Sequence, residues 1–318
     1  MSDSATNTAV GDAIVTHRLT KFYGGRRVVD SLDLRVPKGC VYGFLGRNGA
    51  GKSTTIKMLL GLVHPDSGRA EMLGEDAAAL RPETRWRIAY LAENHPLYRW
   101  MSIGDTVRFF RPFYPTWNQI EVDQILDHFE LPRKKKIRHL SNGQRAQVAL
   151  AMAVAPDPEL FVLDDPTLGL DTVVRRDFLE SLIQIIHRKG RTILFSSHIL
   201  GDVERVADRI GILSGGVLRA DCPLDTFKES VKKLVLEFGR QPPVFPNMPG
   251  VVGSRQMGTR LEVVVTPLSP EHQTQVESLG PKSWEIVDLN LEDAFIEYTR
   301  GTWRPLPVLG GERELAAV

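Results

Sequence analysis

The run Gly46-Arg47-Asn48-Gly49-Ala50-Gly51-Lys52-Ser53-Thr54 has the spacing G-x-x-x-x-G-K-[ST]. Its residue types suit phosphate. Glycines let the backbone curl so that successive N–H groups converge on phosphate oxygens. Lys52 brings a positive charge near β/γ-phosphates, and the Ser53 hydroxyl can ligate Mg²⁺. The apolar run Val41-Tyr42-Gly43-Phe44-Leu45 before the loop reads as a strand, and Ile56, Leu59, Leu60 and Leu62 after it read as a helix. A helix starting in the loop adds unpaired N–H donors and the positive end of its dipole. Taken alone, the loop is a site for ATP or GTP.

A second set of residues lies further along. Leu140-Ser141-Asn142-Gly143-Gln144 precedes a helical run to Val154, with Ser141 as a plausible N-cap. Leu160-Phe161-Val162-Leu163 reads as a buried strand that ends on Asp164 and Asp165. A carboxylate at the C-terminal end of such a strand suits an Mg²⁺ site. Leu168-Gly169-Leu170-Asp171 follows, and Phe195-Ser196-Ser197-His198 closes another strand.

The elements that must position these residues alternate. Strands are expected around Ile14–Val15, Val28–Val29, Leu32–Val36, Arg69–Leu73, Ile88–Leu91, Leu160–Leu163, Thr192–Phe195 and Ile210–Leu213. Helices are expected over Phe178–Ile186 and Ile199–Val206, and 96–140 reads as mostly helical. That alternation predicts a parallel sheet with helices on both faces, and 207–222 reads as a closing hairpin. From about residue 230 the character changes to a small α+β appendage. Strands at 234–238, 261–265 and 284–287 flank a Pro- and Gly-rich stretch at 241–253 and a polar helix at 270–279, and a helix carrying Leu291, Ala294, Phe295 and Tyr298 on one face ends it.

Bulk properties narrow the function. Lys and Arg total 40 against 39 Asp and Glu, so no global field favours nucleic acid or an anionic surface. No apolar run approaches the roughly 20 residues of a membrane span, and the first twelve residues lack the layout of a signal peptide. Membrane association is therefore expected through a partner. Cys40 and Cys222 suggest packing residues in a reducing cytosol rather than a disulfide or metal cluster. The basic run Arg133-Lys134-Lys135-Lys136 reads as a solvated face, with an acidic partner or membrane surface as the alternative.

In order and spacing these motifs resemble the ATP-binding subunits of ABC transporters over about residues 13–220. The resemblance implies an α/β P-loop NTPase fold: a RecA-like core with an antiparallel β subdomain and a helical signature subdomain at about 96–155. The corresponding division is a flexible leader at 1–12, an ATP-binding domain at 13–228, an accessory domain at 229–300 and a disordered tail at 301–318. It also implies a role for each matching position. Tyr23 resembles the aromatic that stacks on adenine, and Gly46 to Thr54 the Walker A loop. Ser141, Gly143 and Gln144 belong to the signature that touches the γ-phosphate of a partner subunit's nucleotide. Asp164 resembles the Walker B aspartate, Asp171 the end of the D-loop and His198 the switch histidine. Phe113-Tyr114-Pro115-Thr116-Trp117-Asn118, Leu289 to Phe295 and the appendage resemble segments of ABC-2-type exporter ATPases.

Three positions depart from the family pattern. Asp165 stands where a glutamate base is usual, shortening the reach by about 1.5 Å. Glu93 stands where the Q-loop usually has glutamine; it could still ligate Mg²⁺, at the cost of added negative charge. Asn142 replaces the first glycine of L-S-G-G-Q, and its tolerance of left-handed backbone is expected to keep the loop shape.

The expected mechanism is ATP hydrolysis in a nucleotide-sandwich dimer, with Lys52, Mg²⁺ and His198 neutralising charge and Asp165 as base. Closure would pass to a separate transmembrane permease near the Q-loop and Leu97–Phe113, an aromatic segment that reads either as subdomain core or as a docking surface. The chain is thus expected on the inner face of the membrane. Two alternatives stay open: an ATP-binding regulatory module with little hydrolysis, and a soluble ABC ATPase outside transport.

Overall fold

A computed structural model of the chain describes residues 11–187 and 190–300. The expected leader falls outside the described residues up to position 10, and the expected tail at 301–318 falls outside them entirely. Asp12 already opens the first strand and pairs with Pro37.

Three sheets organise the described residues. The first is antiparallel and built around the long strand Asp12–Tyr23, which pairs with Arg26–Leu32, Arg35–Pro37 and Ser67–Met72. The second is the central sheet. Its order is Val217–Pro223, Arg209–Ser214, Val41–Leu45, Thr192–Ser197, Leu160–Asp164, Ile88–Leu91. All neighbours are parallel except the first pair, which forms the hairpin.

The inner strands Val41–Leu45, Leu160–Asp164 and Thr192–Ser197 are buried at every residue. This explains their unbroken apolar text: a parallel sheet covered on both faces has no polar side to alternate with. Side chains nevertheless sort by parity. Val41, Leu45, Phe161, Leu163, Ile193 and Phe195 join one apolar cluster with the helical segments. Tyr42, Phe44, Leu160, Val162 and Leu194 join another with the helix Lys52–Leu59 and the antiparallel sheet. Register brings Leu91 beside Leu163, Asp164 beside Ser196, and Leu45 beside Ser197. The C-terminal ends of the parallel strands therefore share one edge, where α/β sheets bind ligands.

Between positions 96 and 140 the chain is less helical than its apolar spacing predicts. Only Ile103–Phe110 and Gln119–His128 are α-helices, with single 3₁₀ turns at Arg111–Phe113 and Ile137–His139. Pro112 and Pro115 cannot continue a helix, and Glu130 takes φ +52°, which ends the second. Ser102 and Asp105 form a capping box that sets the start of the first.

The third sheet is antiparallel, in the order Val251–Met257, Arg260–Val265, Lys232–Glu237, Ser283–Asp288. The Val251–Met257 strand lies partly in the stretch read as a Pro- and Gly-rich connection. It is an edge strand with no buried residue, so it carries no apolar alternation to find. One face of this sheet packs on the helix Pro270–Ser278 through Leu234, Leu236, Val263 and Val276. On the other face Val264 joins Leu291, Ala294 and Phe295 of the last helix, Leu291–Thr299, in the main apolar cluster. Among the described residues no helix is long and apolar enough to cross a membrane.

Candidate functional site

The loop after Val41–Leu45 wraps the start of the helix Lys52–Leu59. Gly51 caps that helix at φ +111°, and a Cβ there would lie 2.6 Å from the Val28 carbonyl oxygen. Both the conformation and the space require glycine. Lys52 is 5% exposed, and its Nζ donates to the Gly46 carbonyl at 2.7 Å. Burial pushes its ammonium below the ordinary lysine range, while the carboxylates of Asp165, Asp164 and Glu93 oppose that shift.

Three carboxylates around one buried cation define an electrostatic site, and hydroxyls fix its geometry. Ser53 Oγ donates to Asp164 Oδ1 at 3.0 Å, and Ser196 Oγ donates to the same oxygen at 2.8 Å. Ser196 Oγ also accepts the backbone N–H of Asp165 at 2.9 Å. Ser196 thus locks the end of its own strand to both aspartates of the next. Asp165 stands at φ +45°, a left-handed conformation that costs a non-glycine residue strain. Its carboxylate turns to His198, with Oδ1 3.0 Å from Nδ1.

A polar network steadies the following turn. Thr167 Oγ1 donates to Asp202 Oδ2 at 2.9 Å, and Arg175 Nε lies 3.4 Å from Asp202 Oδ1. Burial pushes the Asp202 carboxyl up, and the Thr167 hydroxyl and Arg175 pull it back.

Asn48, Gly49, Lys52, Ser53, Glu93, Asp165 and His198 face one cavity of about 300 Å³. Behind the loop a wider cleft of about 620 Å³ is bounded by Arg26, Arg47, Asn48 and Ser214, and by Phe295 and Thr299 of the last helix. On the other side of Glu93 a groove of about 270 Å³ lies between Tyr90, Leu91 and Ala92 of the sheet edge and Leu97, Phe110 and Tyr114 of the helical region.

The sequence-derived site residues therefore fall into groups. Asn48, Gly49, Ala50, Gly51, Lys52, Ser53, Thr54, Glu93, Asp165 and His198 meet at the cavity of about 300 Å³, and Asp164 is reached through Ser53. Ser141, Gly143, Gln144 and Asp171 line no part of it. They form a second cluster, in which Ser141 and Gln144 make a capping box at the helix Asn142–Val154. Gly143 lies against Val174, which a Cβ would approach to 2.5 Å, and Asp171 Oδ1 accepts from the Val174 N–H at 3.0 Å. Asn142 does not use left-handed backbone as expected. It is the first residue of that helix, and its side-chain amide donates to the Gly169 carbonyl at 3.3 Å. Asn142 thus ties the two segments of the second cluster together. Tyr23 lines neither cavity; it is half exposed at the end of the first strand, with Lys21 Nζ 5.5 Å from its ring centroid. Ser196 was not singled out by sequence reasoning. Its signal is a hydroxyl that directly follows the apolar run Ile193-Leu194-Phe195.

Two residues after Glu93, His95 is 4% exposed, and among the described residues neither ring nitrogen has a hydrogen-bond partner of normal geometry. Burial pushes its imidazole down to about 4, partly offset by the Pro166 carbonyl. A free histidine titrates near 6.5, so between these values the unfolded chain binds more protons than the folded one. Folding stability then falls as pH drops through that window, by about 2 kcal/mol between about pH 7 and about pH 5. Urea unfolding of wild type and His95→Leu at both pH values checks this. The variant's curve is expected to be flatter by that amount, and equal pH dependence would count against it.

Comparison with known proteins places this geometry. Residues 29–168 match the family described as ABC transporter. The chain is 30% identical over 283 residues to the ABC transporter ATP-binding protein YtrB of Bacillus subtilis (strain 168), covering 89% of this chain and 97% of that one. It is 36% identical over 227 residues to the bacitracin transport ATP-binding protein BcrA of Bacillus licheniformis, covering 71% and 74%. A solved ATP-binding subunit of an ABC transporter superposes with a TM-score of 0.61 at 30% identity, covering 68% of this chain and 92% of that chain.

Proposed function

The chain belongs to the ABC transporter ATP-binding proteins, and we propose that it drives a separate membrane-spanning exporter subunit through ATP-dependent closure of a dimer. It is an ATPase, converting ATP and water to ADP and phosphate. The observation that carries the reading is the cradle itself: Lys52, Glu93, Asp165 and His198 around one cavity, with Ser53 and Asp164 joined beneath it. Residues 13–228 form the ATPase and 229–300 its appendage.

The backbone N–H groups of Gly49 to Thr54 and the Lys52 ammonium hold the β- and γ-phosphates. Among the described residues no three His, Cys, Asp or Glu side chains form a metal cage. Ser53, Asp164 and Glu93 offer hard oxygens, which suits Mg²⁺ held by one or two protein ligands and the phosphates. When bound, the ion neutralises charge on the β/γ-phosphates. Asp165 accepts the proton of the attacking water, and His198, oriented by Asp165, donates toward the γ-phosphate.

The signature residues Ser141, Gly143 and Gln144, with Asp171, complete the site of a second ATP-binding subunit rather than their own. Their separation from the cavity supports this arrangement. ATP then favours the closed dimer, and its hydrolysis removes that preference. The groove between Tyr90 and Tyr114 seats the membrane subunit, which holds the chain peripherally on the inner face of the membrane. A relative named for Nod factor export, 34% identical over 226 residues, supports export as the direction.

Tyr23 stacks on adenine. Replacing it with alanine is expected to weaken ATP binding about tenfold, while phenylalanine preserves it. Equilibrium titration with a fluorescent ATP analogue reads this, and an unchanged affinity for Tyr23→Ala would remove Tyr23 from the site. The whole reading is tested by co-expressing the chain with a candidate membrane-spanning partner. The purified complex is expected to hydrolyse ATP faster than the chain alone. A complex that binds ATP without turnover would favour the regulatory module instead.

A further inference from the structure

The aromatic segment after the Q-loop divides in two. Leu97, Phe110 and Tyr114 line the groove. Their neighbours do not: Trp100 is 67% exposed, Phe113 61%, Tyr98 49% and Phe109 38%. These four rings form one continuous ridge. Tyr98 lies 6.3 Å from Trp100 and 5.4 Å from Phe109, and Phe109 lies 5.5 Å from Phe113, between ring centroids. Single exposed apolar residues are ordinary, but a connected exposed patch marks a contact surface.

Cations border the ridge. The segment carrying Trp100 runs beside 136–138: Arg138 N donates to the Arg99 carbonyl at 3.0 Å, and Ile137 N to the Met101 carbonyl at 2.9 Å. Arg99, Lys136 and Arg138 are therefore set around Trp100, and all three are exposed. Arg108 and Arg111 occupy the turns that carry Phe109 and Phe113. Arg108 pairs with Asp105. Arg99, Arg111, Lys136 and Arg138 have no carboxylate partner among the described residues, and Arg138 Nε only reaches His139 Nε2 at 3.1 Å.

An aromatic centre with tyrosine and tryptophan, edged by unpaired arginine and lysine, matches the chemistry of a lipid headgroup layer. We propose that this ridge rests on an anionic membrane surface, with its rings at the depth of the headgroups and its cations against lipid phosphates. The chain's overall neutrality makes the attraction local to this face. The inference does not depend on which protein fills the groove, because lipid alone tests it.

The test is co-sedimentation of the full chain with vesicles of equal parts phosphatidylglycerol and phosphatidylcholine, compared with phosphatidylcholine alone. Binding to the anionic vesicles is expected, and it should fall with added salt. The double variant Trp100→Ala/Phe113→Ala should bind about tenfold more weakly, and Arg99→Gln/Arg138→Gln should lose about half of the salt dependence, since Arg111 and Lys136 remain. Circular dichroism and basal ATP hydrolysis should be unchanged in both. Absence of binding by the wild-type chain, or equal binding by the variants, overturns the proposal. So does a Trp100→Ala/Phe113→Ala protein that keeps vesicle binding but no longer co-purifies with the membrane subunit in detergent, since that assigns the ridge to a protein contact.

Discussion

Lys52→Ala is expected to lower ATP hydrolysis by about 10²–10³-fold and to weaken ATP binding as well. The argument is electrostatic. The ammonium is 5% exposed and fixed on the Gly46 carbonyl at 2.7 Å, so little reorganisation is needed when phosphate arrives. Three carboxylates, Asp165, Asp164 and Glu93, act on it. Without the cation they would face a triphosphate in a partly desolvated cavity, where like charges repel more strongly than in water. Glu93 makes this chain more dependent on the lysine than a glutamine at that position would. Steady-state hydrolysis and nucleotide titration measure the effect, with circular dichroism confirming the fold. Turnover within a few-fold of wild type would remove Lys52 from the role assigned.

The second large effect is expected at Asp165, and its sign depends on the replacement. Asp165→Ala removes the proposed base and should slow hydrolysis by ~10²–10⁴-fold. Asp165→Glu should raise the single-turnover rate by about tenfold. The aspartate carboxylate is held on His198 at 3.0 Å by a short side chain on a left-handed backbone. One more methylene lets a carboxylate extend toward the cavity by about 1.5 Å, and general-base catalysis needs contact near 2.6–3.2 Å. Rapid-mixing hydrolysis with excess enzyme isolates this step from product release. An Asp165→Glu rate at or below wild type would mean that the shorter carboxylate is already in reach, or that its work is to orient His198.

Much of the site was legible because its chemistry is local. The loop from Gly46 to Thr54, the acid-terminated strand before Asp165 and the strand before His198 each state their geometry in a few residues. The parallel sheet was legible for a related reason, since inner strands buried on both faces write continuous apolar text. Elsewhere the information is not in the local pattern. The edge strand Val251–Met257 buries no residue and leaves no periodic trace. The helical region was overextended because apolar spacing persists across Pro112 and Glu130, while backbone chemistry breaks the helix there. Ser196 matters only because register sets it beside Asp164, a pairing of strands 32 residues apart in sequence. Asn142 was expected to imitate glycine by conformation, yet it contributes a hydrogen bond to Gly169 instead.

The last helix changes what counts as a separable part. Leu291, Ala294 and Phe295 complete the same apolar cluster as Val203, Ile210, Ile212 and Phe227, which lie before the third sheet begins. A truncation that ends at residue 230 therefore strips the cover from an oily surface instead of releasing an independent ATPase. The core around the nucleotide site therefore includes the last helix, although the third sheet also keeps an apolar cluster of its own. Losing that helix is then expected to lower the amount of folded nucleotide site, which makes the end of the appendage a determinant of how much working enzyme exists at a given temperature.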